Sequence, residues 1–198
     1  MVATKRDTTT RRRQIAQAAL NLVASAGMEA LSVARIARHV GIVPSAIYRH
    51  FPHKDAVLDE VIELIEAKLT ENVRAVERET EDPVEQLRRL LMRHTQLIRE
   101  NRGIPRVVFS EDVYGGSPGR RTRMYEVIEG YLASVSAIIA DAQKKGRIRR
   151  EVDPSAMAVV FLGLVQTPAV LWHVSNGEFN ITKQTKRAWD MMEKVLAA

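Results

Sequence analysis

Apolar residues recur three and four positions apart along almost the whole chain, and strict alternation is nearly absent. A helix turns once every 3.6 residues, so this spacing lines apolar side chains along one stripe, whereas a strand needs every second residue. The chain is therefore expected to be all-α. Ile15, Ala19, Leu22, Val23 and Ala26 mark a first helix from Arg12, with Gly27 as its stop. Ser32 stands where an N-cap belongs, before Val33, Ile36, Ala37 and Val40, and Gly41 ends that piece. Pro44 suits the first turn of a third helix carrying Ile47, Tyr48 and Phe51. Short helices joined by a tight turn at Gly41 make a helix-turn-helix candidate.

Longer helical patterns fill the rest. One runs from Lys54 to Glu79. Asp82-Pro83-Val84-Glu85 has the cap, first-turn proline and acid of a helix start, and Leu87, Leu90, Leu91, His94, Leu97 and Ile98 follow on one stripe. Pro105 to Tyr114 reads as one shorter helix, and Gly115 to Gly119 as a flexible loop. Met124 to Ile139 lies on another long helix, Asp153-Pro154 starts the next, and Thr182 opens the last. The expectation is nine helices.

Charge is unevenly distributed. Residues 1–54 carry nine Lys or Arg against two acids, a net +7, whereas the remaining 21 basic and 22 acidic side chains leave −1. A basic segment on a neutral body points to a polyanion as its partner. The absence of cysteine excludes disulfides, thiolate catalysis and cysteine-bound zinc. His39, His50 and His53 lack metal-ligand spacing, and there is no HExxH, glycine-rich phosphate loop or nucleophile paired with a base. Neither an enzyme nor a metal or cofactor is expected. The basic, polar N-terminus is unlike a secretory signal. The apolar run Ala156–Val174 is interrupted by Gly163, Gln166, Thr167, Pro168 and His173, and fits a buried helix better than a membrane span. A cytoplasmic protein with no membrane partner is expected.

Ile36, Ala37, Val40, Ile47 and Phe51 can lock the second and third helices together, leaving Ser45, Ala46, Tyr48, Arg49 and His50 outward. These are groups suited to base edges and phosphates. The free N–H groups at the helix starts near Ser32, Pro44 and Lys54 are natural phosphate anchors. The stretch from Ser32 through Ile36-Ala37, Gly41-Ile42, Tyr48, Phe51 and Lys54-Asp55 resembles the DNA-binding signature of the TetR family of bacterial regulators, over about residues 12 to 60. The later helices match that family's nine-helix layout in number and length.

The resemblance implies a DNA-binding domain over 1–54 with a basic N-terminal arm (Arg11–Arg13), and a ligand-binding and dimerisation domain over 55–198. It places the third helix in the major groove, with Ser32, Tyr48 and Lys54 on phosphates and Ser45, Ala46 and Arg49 on bases, His50 beside them. Two positions depart from the pattern: Val43 replaces the usual serine N-cap, and Ala46 stands where threonine or serine is frequent. The family's pocket among the middle helices implies an effector site, with Arg102, Phe109, Tyr125, Tyr131, Phe161 and Trp172 as lining candidates. Arg102 and Arg106 suit an anionic effector and Glu111 and Asp112 a cationic one, so its class stays open. The last two helices carry wide apolar surfaces, suited to a homodimer with twofold symmetry. The function implied is a dimeric repressor of a palindromic double-stranded DNA operator, released by a small-molecule effector. The same basic segment would also serve a non-specific architectural DNA-binding protein.

Overall fold

The computed structural model describes residues 2–197, with side chains from Thr8 onward. Its elements are α1 (Val2–Ala26), a 3-10 turn (Met28–Ala30), α2 (Val33–Val40), α3 (Pro44–Tyr48), α4 (Lys54–Glu79), α5 (Pro83–Glu100), α6 (Gly103–Val108), α7 (Glu111–Tyr114), α8 (Pro118–Lys144), α9 (Pro154–Val174) and α10 (Ile181–Leu196). The only extended pairing among the described residues is an isolated bridge between Ile148 and Ala197. The all-α expectation is met among the described residues, with short helices α2 and α3 near the N-terminus followed by the long α4 and α5 and, further on, α8, α9 and α10.

The described residues form ten α-helices rather than nine, because Pro105–Tyr114 is not one helix. Extended backbone at Ser110 (φ −81°, ψ 150°) divides it into α6 and α7. The Ser110 hydroxyl donates to the Val107 carbonyl at 2.8 Å, satisfying a C-terminal acceptor of α6. Three boundaries also differ. The last helix is capped by Asn180, whose side chain accepts from the Lys183 N–H at 2.9 Å, two residues before the expected Thr182. Pro118 and Gly119 belong to α8 rather than to a loop. Arg11–Arg13, expected in an arm, lie inside α1.

The chain divides into two compact units. The first runs up to Ala67 and takes in Asn101–Tyr125; the second comprises Lys68–Glu100 and the chain from Glu126. In the first unit α1 packs against α2 and α6, and α2 against α3. Ile15, Ala19, Leu20, Ile36, Ala37, Ile47, Phe51, Val57 and Val61 are buried there. Gly103 lets α6 meet α1 closely, since a Cβ at that position would lie 2.2 Å from the Leu20 carbonyl oxygen. In the second unit α10 packs on α5 and α9, and α5 on α9.

α9 departs from the expected buried helix. Its 21 residues include an 18-residue stretch of mean hydropathy 1.7, long and apolar enough to cross a membrane by length and composition, yet only 33% of that stretch is buried. Ala158, Phe161, Val165, Ala169 and Trp172 form the inward stripe, whereas Val159, Val160, Val170, Leu171 and Val174 are exposed.

Candidate nucleic-acid interface

The first unit builds the helix-turn-helix from local rules. Ser32 Oγ accepts from the Arg35 N–H at 3.3 Å and starts α2. Gly41, in the left-handed region (φ 78°), closes it with N–H groups returned to the carbonyls of Ala37 and Arg38. Pro44 opens α3 at its first turn, and Val43 at the N-cap offers no side-chain bond, as its identity requires. Ile47 and Phe51 are completely buried and fix α3 to the core. Pro44, Ser45, Tyr48, Arg49 and Lys54 are then exposed, Ser32, Ala46 and His50 half-buried. Tyr48 is 55% exposed, a high value for an aromatic that the core could have taken. Arg35 and Arg38 on α2 are exposed beside them in sequence.

Several side chains to which the sequence gave another role or none hold this surface in place. Arg12, on α1, donates from Nε and Nη2 to Glu60 Oε2 of α4 at 2.8 and 2.5 Å, and from Nη1 to the His50 carbonyl at 2.8 Å. Its guanidinium lies 4.3 Å from the centre of the Phe51 ring. A signal was present: Arg12 falls at helical spacing with Ile15, Ala16 and Ala19, on the buried face of α1. His53 is the N-cap of α4, its Nδ1 accepting from the Ala56 N–H at 3.1 Å.

Arg120 of α8 is 7% exposed and donates from Nε to Asp59 at 2.8 Å and from Nη1 to the Asp112 carbonyl at 2.9 Å. Arg123 pairs with Glu63 at 2.7 Å and also with Glu66, so two arginines of α8 meet an acidic row on α4. The Arg123 guanidinium holds the Glu63 carboxyl below the usual carboxylate range, against an opposing contribution from burial. Lys54 Nζ lies 3.8 Å from Asp112 Oδ1.

The six residues expected around an effector are divided between the units. Arg102, Phe109 and Tyr125 belong to the first, where Phe109 and Tyr125 are 55% and 58% exposed. Tyr131, Phe161 and Trp172 are buried in the second. Arg106, considered with them, donates to the Val23 carbonyl at 3.1 Å within the first unit. A cleft of about 270 Å³ in the second unit is bordered by Val84, Arg147, Trp189 and Glu193, and by none of the six.

The second unit holds a buried polar pair that the helical pattern had assigned only to a stripe. His94 Nδ1 and the Tyr131 hydroxyl are 3.0 Å apart, with their rings edge-on at 5.2 Å. Burial lowers the His94 pKa to about 4 and raises that of Tyr131. Both are therefore neutral at physiological pH.

Comparison with known proteins agrees with this geometry. Residues 15–61 match the family described as "Bacterial regulatory proteins, tetR family", and residues 80–196 match "Tetracyclin repressor-like, C-terminal domain". A relative from Photobacterium profundum, the nucleoid occlusion factor SlmA, is 23% identical over 189 residues, covering 95% of this chain and 96% of its own. Among solved structures, the fatty acid degradation regulator FadR from Bacillus halodurans has TM-score 0.80 at 21% identity, covering 92% of this chain and 94% of that one. FadR from Bacillus subtilis in complex with stearoyl-CoA has TM-score 0.75 at 19% identity, covering 90% and 95%. The two family matches take in most of the chain, both halves of the fold included: the chain belongs to the TetR family, and it is a DNA-binding transcriptional regulator, not an enzyme.

Proposed function

We propose that this regulator is a homodimeric, cytoplasmic repressor that reads a palindromic operator and leaves it when a small molecule binds the second unit. The observation that carries the reading is the surface of α3, where Tyr48, Ser45 and Arg49 stand exposed above a completely buried Ile47 and Phe51. Tyr48 and Lys54, with Ser32, serve as phosphate contacts, and Ser45, Ala46 and Arg49 as base contacts, with Pro44 starting the helix and His50 at its end. One five-residue helix reads too little sequence, and two copies one DNA turn apart read an inverted repeat. The exposed apolar stripe of α9 supports the dimer.

The effector site is proposed in the interior of the second unit, around Tyr131, Phe161 and Trp172. His94 and Tyr131 provide a polar point in that interior. Elsewhere in the second unit, Asn72 Nδ2, Thr185 Oγ1 and Trp189 Nε1 are buried without a hydrogen-bond partner among the described residues, which supports a ligand with polar groups. The stearoyl-CoA complex of the Bacillus subtilis regulator makes an acyl thioester a reasonable first effector to try. α4 begins in the first unit and ends in the second, which suits it to carry the coupling. The coupling must be reciprocal, so effector weakens operator binding by the factor by which operator weakens effector binding.

A second reading follows from the SlmA relatives: a nucleoid occlusion factor rather than a ligand-released repressor. A non-specific architectural role is the limiting case of that reading. Selection from a random duplex pool with purified protein separates the readings. A palindrome recovered by the wild type and lost in Tyr48→Phe/Lys54→Ala supports the operator reading. Tight, salt-sensitive binding without any enriched motif would refute it, since phosphate contacts alone give affinity without sequence.

A further inference from the structure

Arg12 belongs to the basic N-terminal segment, yet its guanidinium is turned inward. Its side chain is 38% exposed and that of its partner Glu60 17%. One planar group thus joins three elements: α1, which carries it; α4, through Glu60; and the end of the recognition helix, through the His50 carbonyl and the face of Phe51. The His50 carbonyl lies just past α3, where helical carbonyls lack partners, and a cationic donor suits it. A five-residue helix has too few internal hydrogen bonds to hold its own orientation, so its register against α1 and α4 depends on such outside contacts.

We propose that Arg12, set by Glu60, is a positioning residue for operator reading: it fixes the tail of α3 and thereby the aim of Tyr48 and Arg49, without itself contacting DNA. The inference rests on the operator reading above. Its sharpest consequence concerns Glu60. If Arg12 were a phosphate contact, removing the Glu60 charge would free it and tighten DNA binding. In a positioning role, removing that charge loosens α3 and weakens operator binding, although the protein becomes more positive.

The test uses the full chain, the duplex recovered by wild-type selection, and a scrambled duplex of the same length. Titrations of wild type, Arg12→Gln, Arg12→Lys and Glu60→Gln are run at several salt concentrations, with helicity and thermal midpoint as checks of folding. Glu60→Asp replaces Glu60→Gln if the latter lowers the midpoint, because it keeps the charge and withdraws the carboxylate by one methylene. Each variant is expected to lose about tenfold of the operator-to-scrambled ratio, the scale of one charge-assisted hydrogen-bonded contact. Lysine should not rescue, because it lacks the planar fork that serves Glu60 and His50 together. Operator binding by Glu60→Gln as tight as wild type or tighter, or full rescue by Arg12→Lys, would overturn the inference. A drop of about one in the salt slope for Arg12→Gln alone would assign Arg12 to phosphate instead and likewise overturn it. Wild-type protein without preference for any selected duplex would remove the operator reading itself, and this inference with it.

Discussion

His94 and Tyr131 share a hydrogen bond inside the second unit, and the cost of charging His94 there sets a pH dependence. Burial lowers the folded-state pKa from 6.5 to about 4. The unfolded chain accordingly takes up a proton below pH 6.5 that the folded chain refuses until about pH 4. Protons in that window favour unfolding, so stability falls as pH drops through it and this contribution levels off below. The full effect is about 3 kcal/mol. Urea unfolding of wild type and His94→Gln at pH 7, 5.5 and 4 checks it: the wild-type advantage should shrink steadily over the range. A constant difference would mean that His94 does not stay neutral in the folded protein. The sequence placed His94 on the apolar stripe of α5 but held no sign of its partner, because Tyr131 is 37 positions away and pairs through tertiary packing. Arg12 was different. Its position on the buried face of α1 was readable, but a run of three arginines suggested an arm, and only the coordinates of Glu60 and His50 show where the middle one turns.

At the scale of elements, local chemistry made most helix ends readable. Ser32, Gly41, Asp153 and Pro44 do at their helix termini what their residue types predict. The division between α6 and α7 was not readable, since no glycine or proline stands at Ser110 and the break depends on a hydroxyl returning to Val107. Asn180 was missed for a simpler reason: Thr182 is also a capping residue and lies nearer the apolar pattern of α10. α3 carries the clearest defect that sequence and structure agree on. Val43 at its N-cap is 61% exposed and gives no side-chain bond to the first turn. Val43→Ser should raise stability by up to about 1 kcal/mol, by satisfying one free N–H group of α3. A thermal or urea midpoint unchanged or lowered by the substitution would show that α3 gains nothing from a side-chain cap at this position.

For the whole molecule, the effector candidates fall in both units, and their exposure was not legible in the pattern. Aromatics along a helical chain were grouped by family layout, but Phe109 and Tyr125 are exposed in the first unit while Tyr131, Phe161 and Trp172 are buried in the second. Helical spacing tells which face a side chain occupies, not which neighbour will cover it. The same limit applies to α9, whose apolar run has two faces. The inward stripe ends on Trp172; the outward one, with Val160, Val170, Leu171 and Val174, is left exposed by the described residues. Apolar surface of this extent is costly in water, and a twofold mate with the same stripe covers both at once. If the proposed dimer uses this face, the wild type should sediment as a dimer and a Val160→Glu/Val170→Glu chain as a monomer at the same concentration. Its helicity should be little changed, because neither valine contributes to the inward stripe, and its midpoint should lose only the part that depends on chain concentration. Operator affinity should fall by roughly 10² or more, since each half-site is then bound without the effective concentration that a linked partner provides. Binding to random DNA should barely move, because Tyr48 and Lys54, the proposed phosphate contacts, are untouched. A Glu-substituted chain that remains a dimer with full operator affinity would rule out this face of α9 as the interface and leave its exposed valines without a role.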